Sequence, residues 1–146
     1  GGTLVLDDVE LLPRESQVKL LRVLQERVVE PLGGERPEPI DARFVATTSA
    51  RLDAEVAAGR LRSDLYWRLN VVALQVPPLR ARRAELPVLA EALLEGLARR
   101  SGARPRPLSP GALQRLLEHP WPGNVRELEN ALERASALSP GSGPLQ

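Results

Sequence analysis

The sequence predicts a layered α/β unit over residues 1–79 followed by a small all-helical unit over residues 80–146. Three observations carry this reading. Three short apolar, β-prone runs alternate with helical patterns in the first part; the β signal vanishes after Pro77-Pro78; beyond it, apolar residues recur only at helical spacing. The boundary falls near Pro77–Arg80.

Thr3-Leu4-Val5-Leu6 is the first run, closed at once by Asp7-Asp8. It predicts a buried strand of a mostly parallel sheet, with two carboxylates at its C-terminal end. From Pro13 to about Arg27 the period becomes helical. Val18, Leu21, Leu24 and Val28 share a face with Leu20 beside them, and Pro13 stands near the start, where proline is tolerated. Val28 to Ile40 reads as a hairpin around Gly33-Gly34, its strands edge-like because of Pro31, Pro37 and Pro39. Phe44-Val45-Ala46-Thr47-Thr48 is the second strand, Leu52–Ala58 and Ser63–Leu69 are short helices, and Val71–Val76 is a third strand.

In the helical part, Leu86, Leu89, Ala90, Leu93, Leu94 and Leu97 stripe a helix over Glu85–Arg100. Leu113, Leu116 and Leu117 mark a second, stopped by His119-Pro120-Trp121-Pro122-Gly123. Leu128, Ala131, Leu132, Ala135 and Leu138 mark a third. Its start at Asn124, with Glu127 three residues on, is a capping-box-like signal. The Ser-, Pro- and Gly-rich tail Ser139–Gln146 is expected to fray.

Composition narrows function by exclusion. Of the 146 residues, 42% are apolar, enough for a core and too many for a disordered chain. The absence of cysteine removes disulfides, thiolate zinc sites and cysteine nucleophiles, and a single histidine, His119, leaves no His-based cluster or triad. No apolar run approaches membrane-spanning length and no signal-peptide pattern opens the chain, so the expectation is a soluble cytoplasmic protein. Residues 1–79 hold ten basic and twelve acidic groups, residues 80–146 ten and seven; neither is the basic field of a nucleic-acid-binding module. Nineteen of the 20 basic residues are arginine, which suits a GC-rich coding sequence. No methionine occurs, and Gly1-Gly2-Thr3 runs straight into an apolar strand, so the expectation is a trimmed start or a piece of something longer.

The chemistry-bearing candidates begin with Asp7-Asp8. Carboxylates at the C-terminal end of a strand sit where open α/β sheets place ligands, and such an Asp can hold Mg²⁺ while its neighbour orients a water. The alternative is that the pair opens a loop or caps the next helix. Arg62 and Arg68 flank the Ser63–Leu69 helix: either they reach across a subunit interface to a γ-phosphate, or they line a solvated face. Arg126 lies in a first helical turn, where the macrodipole disfavours a cation. It either helps bind an anion there or pairs with Glu127 or Glu129. Thr47-Thr48-Ser49 offers hydroxyls for a phosphate or water, or for ordinary capping. Trp121 reads as a core plug and His119 as a surface or cap residue. No GxxxxGK[ST] loop occurs, since the only lysine, Lys19, lies within a predicted helix.

Together these pieces resemble the central AAA+ ATPase domain of sigma-54-dependent transcription activators, the bacterial enhancer-binding proteins. GGTLVLDDVELLPRESQVKLLRVLQER is similar to that family's Walker B strand and following helix, and DARFVATTSARL to its sensor I strand. GRLRSDLYWRLNVVALQVPPLRARR resembles the segment of its arginine fingers, and HPWPGNVRELENALERA its sensor II helix. The resemblance implies the C-terminal half of a three-layer P-loop AAA+ parallel sheet followed by a helical lid. It implies that Asp7 holds the Mg²⁺ of ATP, that Arg62 and Arg68 act on ATP held by a neighbouring subunit, and that Arg126 reports nucleotide state. It further implies assembly as a hexameric or heptameric ring and contact with the sigma-54 RNA polymerase holoenzyme. DNA would be bound through a helix-turn-helix domain outside this chain, and no membrane is involved.

Two positions depart from the family pattern. Asp8 stands where a water-activating Glu is usual, and Ser49 where sensor I commonly has Asn. The Walker A loop and the GAFTGA-type loop that contacts sigma-54 would both precede Gly1. The expectation is therefore a fragment of an ATPase that is inactive by itself. A non-catalytic regulatory or assembly module from the same domain is the alternative, and a different AAA+ machine such as a helicase loader is a third reading.

Overall fold

The computed structural model describes residues 1–31, 36–139 and 143–146. The chain divides into two compact units, Gly1–Leu74 and Gln75–Gln146.

The first unit is built on two parallel strands. β1 (Thr3–Leu6) pairs with β4 (Arg43–Ala46) in the register Thr3↔Arg43 to Leu6↔Ala46. A parallel pair needs a long crossover, and here it contains helix α1 (Arg14–Glu26) and the antiparallel pair β2 (Val28–Val29) and β3 (Glu38–Pro39). The expected hairpin strands thus form, while Gly33-Gly34 lies outside the described residues. α1 ends on Arg27 in the left-handed region, whose guanidinium sits 5.4 Å from the Phe44 ring centroid and donates to the Ala42 carbonyl at 2.8 Å. Helices α2 (Leu52–Ala57) and α3 (Ser63–Leu69) follow β4. Leu21 and Leu24 of α1 meet Leu61 and Leu65 in the core, with Phe44, Val56 and Leu69 packed around them.

Three sequence expectations change in this unit. β1 is not buried: Leu4 and Val5 are 48% and 58% exposed. A parallel strand is buried when layers cover both faces of its sheet; this sheet has two strands among the described residues, and the helical cluster packs on Phe44. Val71–Val76 forms no strand. It turns at Val71-Val72 and continues as irregular backbone, with Val71, Val72, Leu74 and Val76 between 77% and 88% exposed. β-propensity expresses fit to a pleated, half-buried surface, and no described strand lies beside this segment to provide one. Finally, α1 buries Gln17, Leu21 and Leu24 while leaving Val18 exposed.

Among the described residues, the second unit holds three α-helices, α4 (Leu86–Ser101), α5 (Pro110–Glu118) and α6 (Asn124–Leu138). Leu86, Ala90 and Leu94 of α4 meet Leu128 and Leu132 of α6, with Leu79, Trp121 and Leu145 closing the core. α4 stops at Gly102, which takes the left-handed conformation (φ 67°) that only glycine adopts without strain. Ser109 caps α5 by accepting from the Ala112 N–H. The tail differs from expectation. Leu145 is fully buried, its N–H bonds the Pro107 carbonyl at 2.9 Å and its carbonyl accepts from Ser109 at 2.9 Å. Two backbone bonds and a buried leucine hold this end, while residues 140–142 lie outside the described residues.

Leu128 is fully buried between α4 and Trp121. Leu128→Ala should destabilise this unit by about 2–5 kcal/mol. Urea denaturation followed by Trp121 fluorescence should show a lower midpoint at unchanged slope.

Candidate functional site

The carboxyl ends of β1 and β4 bring Asp7 and Asp8 to Thr47, and Ser49 to Glu10. The ladder continues past the strands: the Thr47 N–H donates to the Leu6 carbonyl at 2.8 Å, and the Val9 N–H to the Thr47 carbonyl at 3.0 Å. This places the Thr47 hydroxyl between the two acids. It donates to Asp7 Oδ1 and accepts from the Asp8 N–H at 3.2 Å. Asp7 is exposed and Asp8 half-buried. Asp8 has φ 48° and ψ 56°, in the left-handed region, which Asp tolerates better than most residues. Its side chain makes no capping hydrogen bond to the short 3-10 turn Val9–Leu11 that follows. The capping alternative for Asp8 therefore has no hydrogen bond behind it.

Sequence reasoning missed Glu10. Its Oε1 accepts from the Ser49 N–H and hydroxyl, both at 3.0 Å, and from the Ala50 N–H at 3.2 Å. Burial alone would raise this carboxyl, yet the hydrogen bonds outweigh it and hold its pKa at about 2. The signal available was the acid's place in the run Asp7-Asp8-Val9-Glu10, one short turn beyond the strand. Its consequence is that the Ser49 hydroxyl is committed to Glu10.

Arg62 and Arg68 frame α3. Arg62 is the N-cap residue; its guanidinium grips Asp64 with two bonds, of 3.0 and 2.7 Å, and holds that carboxyl below its ordinary range. Arg68 is exposed and donates to the Leu24 carbonyl at 3.0 Å, in the last turn of α1. Such cations at a helix C-terminus satisfy free carbonyls.

Arg126 lies in the second unit. The helix starts at Asn124 as expected, but its N-cap residue is Gly123 rather than Asn124. Five neighbours of Arg126 in the WPGNVREL run have a structural task. Trp121 is buried and its indole N–H donates to the Leu116 carbonyl at 2.7 Å. A Cβ on Gly123 would lie 2.8 Å from Glu127 Cβ, so only glycine lets Glu127 close on the turn and accept the Gly123 N–H at 2.8 Å. Asn124 uses its side-chain oxygen to accept the Leu79 N–H at 2.8 Å. Leu128 is core. Glu129 pairs with Arg100 at 2.9 Å and Glu127 serves the turn, so neither alternative partner of Arg126 bonds it. Arg126 is exposed, with no ion pair among the described residues.

A two-stranded parallel sheet carrying acids at its carboxyl ends, followed by a helical unit with this turn, is a partial AAA+ fold with its lid. The chain belongs to the sigma-54 interaction domain family, whose profile matches residues 1–75, and the AAA+ ATPase lid domain profile matches residues 80–143. It is 51% identical over 138 residues to the response regulator protein PilR of Pseudomonas aeruginosa, covering 94% of this chain and 31% of that protein. It is 49% identical over 139 residues to the Nif-specific regulatory protein of Azotobacter vinelandii, covering 95% of this chain and 26% of the relative. A crystal structure of NtrX from Brucella abortus in complex with ATP superposes with a TM-score of 0.90 at 42% identity, covering 97% of this chain and 32% of that one. The chain spans about a third or less of the length of these relatives. No helix among the described residues is long and apolar enough to cross a membrane.

Because the folded pKa of Glu10 is about 2 against an ordinary 4.5, its contribution to stability is fully present above pH 4.5 and is lost as pH falls towards 2. The stability difference between the wild type and Glu10→Gln should shrink over that window in chemical denaturation. Carbon NMR of the Glu10 carboxyl should titrate near 2.

Proposed function

We propose that the chain is the stretch from Walker B to sensor II of a sigma-54-dependent transcription activator. The parent hydrolyses ATP to convert the closed sigma-54 RNA polymerase complex to the open one. The observation that carries this reading is the Asp7–Thr47–Asp8 cluster at the carboxyl ends of two parallel strands, where ligands of open α/β sheets bind. The ATP complex of NtrX supports a nucleotide as the ligand.

Asp7 suits Mg²⁺: it is an exposed hard-oxygen donor with one oxygen oriented by Thr47 and no basic partner among the described residues. The ion, when bound with ATP, neutralises charge developing on the phosphates. Asp8 is the group that orients or deprotonates the attacking water, one methylene shorter than the usual Glu. Arg62 and Arg68 extend to ATP on the next subunit of a hexameric or heptameric ring. Arg62 now sits in an exposed ion pair with Asp64, of a kind that contributes little and is readily exchanged, and Arg68 in a single bond to the Leu24 carbonyl. Arg126 touches the nucleotide from the lid and reports its state. Sigma-54 contact through a GAFTGA-type loop, DNA binding through a helix-turn-helix domain and a cytoplasmic location belong to the same proposal.

A second reading, a non-catalytic assembly module, is favoured by one observation. Ser49 spends its hydroxyl on Glu10, where sensor I commonly presents an Asn to the γ-phosphate.

ATP turnover by the full-length gene product separates the two. Asp8→Glu should raise kcat, up to roughly 100-fold, as expected when a misplaced catalytic group regains about 1 Å of reach. Measurable basal turnover supports the first reading; none before the substitution and recovery after it supports the second. The 146 residues contain no phosphate-cradling GxxxxGK[ST] loop. Calorimetric titration of this chain with Mg-ATP should accordingly show weak binding, and a low-micromolar Kd would overturn the inactive-fragment proposal.

A further inference from the structure

We propose that Gln17 is a positioning residue for Arg62, fixing the backbone from which that arginine extends; this rests on the reading of Arg62 as an arginine finger. Gln17 lies on the face of α1 that points into the core, one turn before Leu21, at a position the helical period reserves for an apolar side chain. It is 1% exposed and is the only buried polar or charged residue among the described residues.

Its amide is nearly saturated. Nε2 donates both hydrogens, to the Leu12 and Arg60 carbonyls, each at 2.9 Å, and Oε1 accepts the Arg62 N–H at 3.0 Å. One side chain thus ties the entry to α1 to both ends of the Arg60-Leu61-Arg62 segment. The same segment is fastened from α2 as well, because the Arg60 and Leu61 N–H groups both donate to the Glu55 carbonyl. Leu61 and Leu65, 2% and 0% exposed, anchor it on either side of Arg62. A buried amide adds little net stability over a well-packed apolar side chain, but its bonds are directional and an unmet partner is penalised.

The tip of Arg62 is held quite differently from its base. The guanidinium engages exposed Asp64, a surface pair of the weakly contributing kind. The backbone below it is held by two bonds with the buried Gln17 amide, one to the Arg60 carbonyl and one from the Arg62 N–H. This combination allows the side chain to leave Asp64 for a phosphate while its Cα stays fixed, which a reach-sensitive contact across subunits requires.

The test is a double-variant cycle on ATP turnover by the full-length gene product. Gln17→Met keeps side-chain length and removes all three bonds. It should lower kcat about 10- to 100-fold with the KM for ATP unchanged. Combined with Arg62→Ala, it should be no slower than Arg62→Ala alone, because the two losses are one. Additive losses, or a raised KM with intact kcat, overturn the proposal. If Arg62→Ala turns over at the wild-type rate, the finger reading itself falls, and this proposal with it. Should Gln17→Met fail to fold by circular dichroism, Gln17→Leu, which also removes all three bonds and suits the apolar face of α1, enters the same cycle under the same criteria.

Discussion

The first unit depends on one constraint: the in-register parallel pairing of β1 with β4. Side chains alternate faces along a strand, so a slip of one residue would turn Phe44 away from the helical cluster. The same register carries the Thr47 hydroxyl to the two acids beyond Leu6. The position of the helices and the assembly of the acidic cluster are therefore settled by one ladder. α1, α2 and α3 need only cover the face that the ladder defines. Glu10 then extends the connection outward, fastening the loop after β4 to the turn after β1.

Much of this was legible because the periodicities are clean. Leu21 and Leu24, and later Leu86, Ala90 and Leu94, recur at intervals only a helix can place on one face, and the helices appear where that spacing puts them. The Asp7-Asp8 pair was legible for a different reason: an apolar run that ends abruptly in two charges must end at a surface. Val71–Val76 was misread because a strand is a relation between segments, and composition describes only one of them. Glu10 and Gln17 were overlooked because polar residues are assigned to the surface by default. For Gln17 the missing clue was positional, its place one turn before Leu21 on a face that faces inward.

The WPGNVREL run shows how structure separates the two reasons a motif can exist. Trp121, Gly123, Asn124, Glu127 and Leu128 each answer a local need: a core plug, a close approach, an acceptor, a closed turn and a packed helix. Arg126 answers none of them and stands at a helix end that disfavours its charge. This exposed arginine, to which the turn gives no partner among the described residues, is the one that the family resemblance assigns to the nucleotide. The acidic cluster shows the converse, since Ser49 has acquired a structural partner in place of a free hydroxyl.

The bare stretch from Val71 to Val76 also governs how this polypeptide behaves in bulk. Four large apolar side chains of this stretch stand in water, Leu4 and Val5 of β1 are about half exposed as well, and the formal net charge is only +1. Solubility at neutral pH rests on charge repulsion, which is nearly absent here. Added salt does little to so small a net charge, whereas sulfate and other excluded ions strengthen apolar contact. Concentrated solutions are therefore colloidally fragile, and a buffer well below the isoelectric point near 8.6 keeps the molecules apart better than ionic strength does.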